Sequence, residues 1–476
     1  MKILITGATG YIGRRLKARL LEANCHIRLL VRNKNKVSTS VYGKVEIVEG
    51  DTFHEEALDE ALHGIDVAYY LIHSMGSGND YRSLDRISAE NFREAAIRAG
   101  VGRIIYLGGL GVKETASRHL LSRIETGEIL SAKPDGIQTI WFRAGVIIGS
   151  GSASFEIIRN LVQKLPLMIT PKWVNTLTQP IAVDDVLSYL TAAADKNVNG
   201  NLTVDIGTNP MSFREMMLNA AQVMGLSRSM IPVPFLSPRL SSYWLILFTP
   251  IPYKLATALV EGLKSETVVQ NDHASRFFQE IQPMPYKKAV RKALLEMEEN
   301  QILSRWCDSS GGAACDIKDQ DSTASAILRD TREYSLKGAS PEKVFAAACS
   351  IGGEQGWFHY HFLWQIRGLI DKLMGGYGLN RGRRERGRLR IGDSLDFWKV
   401  ADIKENKRLL LLAQMKVPGK AWLEFDIQPD KIVQTAHFLP KGLWGRLYWY
   451  SVLPLHNLVF PNLAKQIVIK AREKGK

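Results

Sequence analysis

A glycine-rich loop near the start of the chain, TGATGYIG, constrains the fold more than any other feature. It follows the short apolar run KILI and precedes RRLKARLLEA, in which apolar residues recur at helical spacing. Gly7 permits a tight turn, Gly10 lets the backbone approach a pyrophosphate, and Gly13 allows close packing of the helix. Because the N-terminus of the helix then faces the phosphates, the loop predicts a dinucleotide-binding Rossmann fold.

The pattern beyond the loop predicts the rest of this domain. Apolar runs bounded by glycine alternate with amphipathic segments as far as about residue 150, which is typical of β-α-β units. Residues from about 150 to 306 contain more proline, alternate less regularly and end in a helical pattern. We therefore predict an α/β domain over residues 1–306, a doubly wound parallel sheet with a substrate-side elaboration.

A second domain is predicted after a run of small and polar residues at 307–326, which is typical of a flexible linker. Most of the net charge of +14 lies beyond this run. Residues 327–476 begin with a strand and a helix capped near Ser340, continue with alternating segments and close with an aromatic-rich helical stretch. This pattern predicts an α+β domain with an antiparallel sheet.

The end of the second predicted strand bears on the choice between NADP and NAD. An acid there hydrogen-bonds the ribose 2′-hydroxyl, whereas a basic side chain accommodates a 2′-phosphate. Between Ile27 and Val45 the chain has no acid, while Arg32, Lys34 and Lys36 lie at the turn. NADP is favoured over NAD, with Arg32 as its phosphate ligand; the alternative is a solvated basic turn.

Residues 1 to about 300 resemble an atypical short-chain dehydrogenase/reductase, of the kind related to extended sugar-nucleotide epimerases and NmrA-like proteins. The motifs that carry this resemblance are TGATGYIG, GD at 50–51, YYLIHSMGSG at 69–78, RAGVIIGSGSASFE at 143–156 and TQPIAVDDV at 178–186. The resemblance implies that Asp51 and Thr52 lie beside the adenine, that Leu71 and His73 lie beside the ribose and nicotinamide, and that Gly145 and Val146 lie near the nicotinamide amide. It also implies cofactor contacts from Gly108 and from the residues of the glycine loop: Gly7, Thr9, Gly10, Tyr11, Ile12 and Gly13. Residues 327–476 resemble a C-terminal domain fused to some bacterial members and are similar to START-like helix-grip folds that bind lipids.

The expected catalytic centre departs from the family pattern. Family dehydrogenases use Tyr-x-x-x-Lys with a serine, yet none of the 15 tyrosines has lysine four residues on, and Gly108 stands where the serine is expected. His119 and Arg123 share the same i, i+4 spacing and are candidates to exchange a proton and to orient it; the alternative is an exposed polar helix face. His73 and Ser74, after the fourth predicted strand, are the other candidates. The alternative for His73 is a structural role, in which its ring forms hydrogen bonds with the backbone of the loop.

Other segments limit the partners of the second domain. His359 and His361 lack a third ligand at suitable spacing, so no metal is predicted. The arginine-rich run at 380–390 has no accompanying recognition motif, so no nucleic acid is predicted. The aromatic stretch 443–460, followed by basic residues, favours peripheral contact with an anionic membrane or, equally, the wall of a helix-grip cavity.

Three functions fit these observations. The first is an NADP(H)-dependent oxidoreductase with a divergent centre, acting on a lipophilic carbonyl or quinone-like molecule. The second is a non-catalytic protein that senses NADP(H) or binds a ligand, and the third is a sugar-nucleotide epimerase. Four scattered cysteines and no secretory signal predict a cytoplasmic location, with the inner face of the membrane as an alternative. No pattern specifies an oligomeric state.

Overall fold

The computed structural model describes residues 1–34, 37, 43–73, 81–233, 261–262, 265–298, 326, 328–352, 356–358, 360–374, 389, 391 and 393–473. These residues form two compact units, an N-terminal unit that extends to residue 298 and a C-terminal unit that begins at residue 326. The predicted linker at 307–326 lies outside the described residues except for Ala326.

The N-terminal unit is built around a parallel sheet, as the alternation of apolar runs predicts. Over its described residues, seven strands lie in the order β11-β6-β5-β4-β1-β2-β3, and all their pairings are parallel. Their bounds are β1 (Lys2–Thr6), β2 (His26–Val31), β3 (Glu46–Glu49), β4 (Val67–Tyr70), β5 (Arg103–Gly109), β6 (Gln138–Ala144) and β11 (Leu202–Ile206).

Helices cover both faces of this sheet, because the strands are apolar on both sides. One face packs Ile5 and Ile105 against Leu16, and the other packs Leu4 and Ile104 against helices further along the chain. The helices are α1 (Tyr11–Glu22), α2 (Glu55–Leu62), α3 (Tyr81–Arg98), α4 (Arg118–Leu130), α5 (Ala153–Lys164), α6 (Val183–Ala193), α7 (Phe213–Val223), α8 (His273–Phe277) and α9 (Tyr286–Glu298).

The strand order places a ligand crevice at one point of the sheet. Strands β2 and β3 lie on one side of β1, and β4 and β5 lie on the other, so the order reverses between β1 and β4. Ligands of doubly wound sheets bind at the carboxyl ends of the strands at such a reversal. The glycine loop follows β1 and His73 follows β4, so both lie at this edge.

Short strands elaborate the same unit after β6. They form two-stranded sheets, β7 with β10, β9 with β12 and β8 with β13. Their bounds are β7 (Ile147–Ile148), β8 (Leu167–Thr170), β9 (Leu177–Thr178), β10 (Ile181–Ala182), β12 (Met211–Ser212) and β13 (Ser229–Pro232). The elaboration supplies the backbone that packs against the end of β6.

The C-terminal unit is the α+β fold that its alternating segments predict. Its six-stranded antiparallel sheet has the order β14-β19-β18-β17-β16-β15 over the described residues. The strands are β14 (Leu328–Ser335), β15 (Ser394–Leu395), β16 (Trp398–Lys404), β17 (Arg408–Ala413), β18 (Gly419–Ile427) and β19 (Lys431–Pro440), and the helices are α10 (Pro341–Ala348), α11 (His361–Leu373) and α12 (Gly442–Glu473). The helix-grip resemblance stays a prediction.

One face of that sheet packs on the long helix α12. Phe425 and Phe438 from the sheet meet Phe460 and Ile467 from the helix in one apolar core. Helix α10 begins where predicted, since the Ser340 hydroxyl accepts a hydrogen bond from the backbone of Lys343 at 3.4 Å. Among the described helices, none is long and apolar enough to cross a membrane.

Candidate functional site

The glycine loop has the geometry of a pyrophosphate site. Gly7 adopts φ +66°, and a Cβ there would collide with the carbonyl oxygen of Leu71, so only glycine fits. The first turn of α1 contains no acid, and Gly10 at its N-cap has no side-chain hydrogen bond. The backbone N–H groups at this helix start, with the positive end of the helix dipole, suit an anionic phosphate.

Side chains around the loop hold it in place. The Tyr11 hydroxyl donates a hydrogen bond to the Ser150 carbonyl at 3.2 Å, and burial raises its pKa above the usual range. Arg14 Nε donates to the Thr9 carbonyl at 2.9 Å, while Ile12 packs against the core. The glycine loop is therefore tied to the elaboration after β6.

The residues expected near the adenosine lie along the ends of β2 and β3. Arg32 is exposed just beyond β2, whereas the neighbouring Lys34 lies 3.8 Å from Glu49. Asp51 accepts a hydrogen bond from a nearby backbone N–H, and the Thr52 hydroxyl is buried 2.7 Å from that of Ser88. Lys36 lies outside the described residues.

Two histidines that the sequence offers as alternatives form one pair. Nε2 of His73, beyond β4, lies 3.0 Å from Nδ1 of His119 in the first turn of α4. Nδ1 of His73 lies 3.1 Å from Oδ2 of Asp85 in α3, and the Ser122 hydroxyl donates to the same oxygen at 2.9 Å. We refer to Asp85, His73 and His119 as the histidine relay.

The hydrogen bonds fix which ring nitrogen carries a proton. A carboxylate only accepts, so Asp85 selects the tautomer of His73 with a proton on Nδ1. In the neutral relay, Nε2 of His73 then accepts a hydrogen bond from the ring of His119, whose Nδ1 lies 3.0 Å and whose Nε2 lies 3.4 Å from it.

Loss of solvation dominates the electrostatics of the relay. It lowers the pKa of His73, an effect that the hydrogen bond to Asp85 opposes and the charge of Arg123 reinforces. It also lowers the pKa of His119 well below the ordinary value, with His73 and Arg123 adding to the effect. The resting relay therefore carries no extra proton at neutral pH.

Arg123 acts from the next turn of α4. Its Nη2 donates to the Leu107 carbonyl at 2.9 Å, and its own carbonyl accepts a hydrogen bond from the Tyr106 hydroxyl at 3.0 Å. The guanidinium is thus attached to the end of β5 and acts on the histidines through its charge.

Gly108 has no room for the serine of the family pattern. A Cβ there would collide with Nε1 of Trp141, and the same indole lies against Gly127 of α4. The expected hydroxyl is therefore excluded by packing.

The remaining predicted residues lie at the end of β6 or outside the description. The Val146 carbonyl accepts a hydrogen bond from the backbone of Ile181 at 3.0 Å, and Gly145 packs against the backbone of Gln179. Ser74 lies outside the described residues, as does His359. His361 begins α11 instead of lying in a strand, and over the described part of the chain no three acidic, histidine or cysteine side chains gather into a metal-binding group.

Sequence reasoning missed Asp85 and Ser122. Asp85 shares the buried face of α3 with Ala89 and Phe92, so an acid at an apolar position of an amphipathic helix was the available signal. Ser122 lies three residues after His119 and so faces the same side of α4.

Two protein families match parts of the chain. Residues 7–138 match a family described as NAD(P)H-binding, and residues 322–463 match a family described as a protein of unknown function (DUF2867). The N-terminal unit is an NAD(P)-binding Rossmann domain. The C-terminal match spans most of the second unit.

Similar proteins include named reductases. The chain is 27% identical over 171 residues to a (4-alkanoyl-5-oxo-2,5-dihydrofuran-3-yl)methyl phosphate reductase of Streptomyces griseus, covering 35% of this chain and 57% of that protein. It is also 27% identical over 239 residues to a ceramide reductase of Caulobacter vibrioides, covering 49% of this chain and 73% of that protein. Only part of the Streptomyces protein is therefore matched.

The fold has a solved counterpart. A triphenylmethane reductase of Citrobacter sp. superimposes with a TM-score of 0.51 at 22% identity, covering 62% of this chain and 100% of that chain. The likeness supports the Rossmann architecture of the N-terminal unit.

Proposed function

We propose that the N-terminal unit is an NADP(H)-dependent oxidoreductase in which the histidine relay exchanges the substrate proton. The observation that carries this proposal is the 3.0 Å contact between His73 and His119, backed by Asp85. The relay follows β4 at the edge where the strand order reverses, beside the glycine loop. The position of these side chains where a doubly wound sheet binds its ligand supports a role in proton transfer.

Carbonyl reduction requires a hydride and a proton, and we assign the cofactor that donates the hydride to the glycine loop and the proton to the relay. The glycine loop would hold NADPH, and that cofactor would supply the hydride for the carbonyl carbon. The relay first gains one proton from solvent, because its resting form is neutral. His119 then gives a ring proton to the carbonyl oxygen and takes a proton at Nδ1, its nearer nitrogen, from Nε2 of His73. Asp85 stabilises the positively charged His73 before the transfer, and the relay ends neutral until solvent returns one proton.

The proposal extends to cofactor and substrate class. Arg32, exposed beyond β2, supports NADP over NAD because a guanidinium pairs with a 2′-phosphate. Two relatives named as reductases, one of an alkanoyl-bearing phosphate ester and one of ceramide, support a lipophilic carbonyl substrate.

The C-terminal unit is proposed to hold a hydrophobic ligand, in keeping with the START-like resemblance. Gln434 of β19 is fully buried on the same face as Ile432 and Ala436, which line the core beneath α12. Neither polar atom of its side-chain amide has a hydrogen-bond partner among the described residues. A ligand's polar group or a buried water would satisfy these atoms.

The test is a titration of the full chain with NADPH and NADH, followed by stopped-flow oxidation of bound NADPH against quinones and lipophilic aldehydes. Substrate-dependent oxidation that is lost in His119→Gln is the expected result. Binding of NADPH without oxidation by any member of the panel would contradict the enzymatic proposal and support NADP(H) sensing. Absence of NADPH binding would contradict both.

A further inference from the structure

Helix α11 exposes an apolar face. At about 100° per residue, its exposed apolar side chains span about 100° of the helix surface. Trp364, Gly368 and Asp371 lie on the opposite side and are buried. The exposed set, which reaches 63% at Leu373, is Phe362, Ile366, Leu369, Ile370 and Leu373. A helix of a globular unit normally turns such an arc towards its core, so this face is suited to another apolar phase.

The start of α12 exposes a second apolar face. Trp444 is 77% exposed, and Leu443, Leu447 and Tyr450 share its side of the helix. Trp449, on the other side, is buried against the sheet. Trp and Tyr are the side chains that favour the headgroup level of a bilayer.

One loop, between β17 and β18, joins these two faces. Arg367 Nη2 of α11 donates to the Lys416 carbonyl at 3.3 Å, and the Lys416 N–H donates to Asp371 at 2.6 Å. On the other side, the N–H of Lys441 donates to the Pro418 carbonyl at 2.9 Å. The exposed faces of α11 and of the first turns of α12 thus lie at the same end of the C-terminal unit, and we name them the two-helix apolar surface.

Over the described residues of α11, of the loop and of the first turns of α12, which form this surface, the exposed charges are all positive. Lys416, Lys441 and Arg446 are exposed on the loop and at the start of α12. Asp371 is the one acid in the segments 360–374, 414–420 and 441–458, and it is buried. This combination of apolar side chains and unopposed cations complements a surface that is apolar inside and anionic outside.

We propose that the two-helix apolar surface docks on an anionic lipid bilayer. Its apolar side chains enter the boundary between headgroups and acyl chains, while Lys416, Lys441 and Arg446 pair with lipid phosphates. The basic residues near the other end of α12 take no part, because Lys465 lies about 33 Å along the helix from Leu443. The proposal does not rest on the oxidoreductase assignment.

Vesicle flotation of the full chain tests this docking. Vesicles of phosphatidylcholine are compared with vesicles containing about one third phosphatidylglycerol, at low and high salt. The wild type is expected to float with the anionic vesicles only, and less at high salt. Leu369→Gln combined with Leu373→Gln is expected to reduce binding about tenfold or more, since two leucines that enter the bilayer are lost. Lys441→Gln combined with Arg446→Gln is expected to abolish the preference for anionic lipid.

Leu295→Gln is the matched control, because Leu295 is 51% exposed on α9 of the other unit. This variant should float like the wild type, and all variants should keep the wild-type melting temperature. Failure of the wild type to float with anionic vesicles would overturn the proposal, as would equal binding by the leucine variants. Sedimentation velocity tests whether a second copy of the chain binds this surface instead. If the wild type is a dimer that the leucine variants dissociate, while their flotation is unchanged, the surface serves self-association.

Discussion

Nε2 of His73 lies 3.0 Å from Nδ1 of His119, although 46 residues separate the two histidines in the chain. The contact arises because β4 and β5 are neighbours in the sheet, so the segments that follow them meet at one edge. Two residues that the sequence offers as competing candidates therefore belong to one hydrogen-bonded cluster with Asp85.

His119→Gln is expected to lower kcat for carbonyl reduction by about 10²–10⁴-fold, because glutamine keeps a polar side chain but exchanges no proton. NADPH affinity should stay near the wild-type value, since the glycine loop is untouched. Steady-state kinetics and a fluorescence titration of NADPH measure the two effects separately. Wild-type turnover in this variant would remove His119 from the chemistry.

Asp85→Asn and Arg123→Gln are expected to shift the pH profile in opposite directions. Carbonyl reduction needs a proton on the relay, whose histidine pKa values are lowered, so kcat/KM should fall as the pH rises above those values. Loss of the Asp85 carboxylate lowers the pKa of His73 further and moves the profile to lower pH. Loss of the Arg123 charge moves it to higher pH. Profiles that extend to pH values below the break of each curve distinguish this outcome from a uniform loss of activity, which would indicate a purely structural role.

Much of the architecture follows from local pattern. The runs that became β1 to β6 are apolar and short, most of them lie close to a glycine, and the loop before Tyr11 fixes the start of the first helix. The alternating segments after Leu328 likewise specify an antiparallel sheet. These features depend on residues close in the chain, where periodicity carries the information.

The completed relay and the two-helix apolar surface did not follow from the sequence. Asp85 meets His73 only because α3 packs beside α4, and no spacing along the chain encodes that distance. Phe362 and Leu369 belong to an apolar pattern that predicts burial, yet both are exposed. The contact between Arg367 and the loop at Lys416 fixes which face of α11 is buried, and that contact joins residues far apart in the chain. Tertiary packing determines both.

Arg32→Ala is expected to reduce NADPH affinity by about ten- to a hundredfold while NADH affinity hardly changes. The reason is that a charge-assisted contact to the 2′-phosphate is lost, and NADH has no such group. Lys34→Ala is the matched control, because its ammonium lies beside Glu49. Equal losses for both cofactors in Arg32→Ala would contradict the NADP preference.

Gly108→Ser is expected to destabilise the N-terminal unit by about 1–3 kcal/mol, because its Cβ would collide with the Trp141 indole. Urea unfolding gives the free energy of unfolding. Gly262→Ser, at a position with open space, should change it little. A stable Gly108→Ser variant would show that the indole can move aside.

The position of Trp141 between Gly108 and Gly127 has a consequence for redesign. Introducing the serine and tyrosine of the family pattern would fail at the first substitution, because a serine at residue 108 collides with the Trp141 indole. The order of substitution matters, because Trp141 has to be replaced by a smaller residue before Gly108 can be replaced by serine. The two kinds of active centre are therefore separated by a coupled change, and a serine placed at residue 108 first would cost stability until residue 141 is replaced by a smaller side chain.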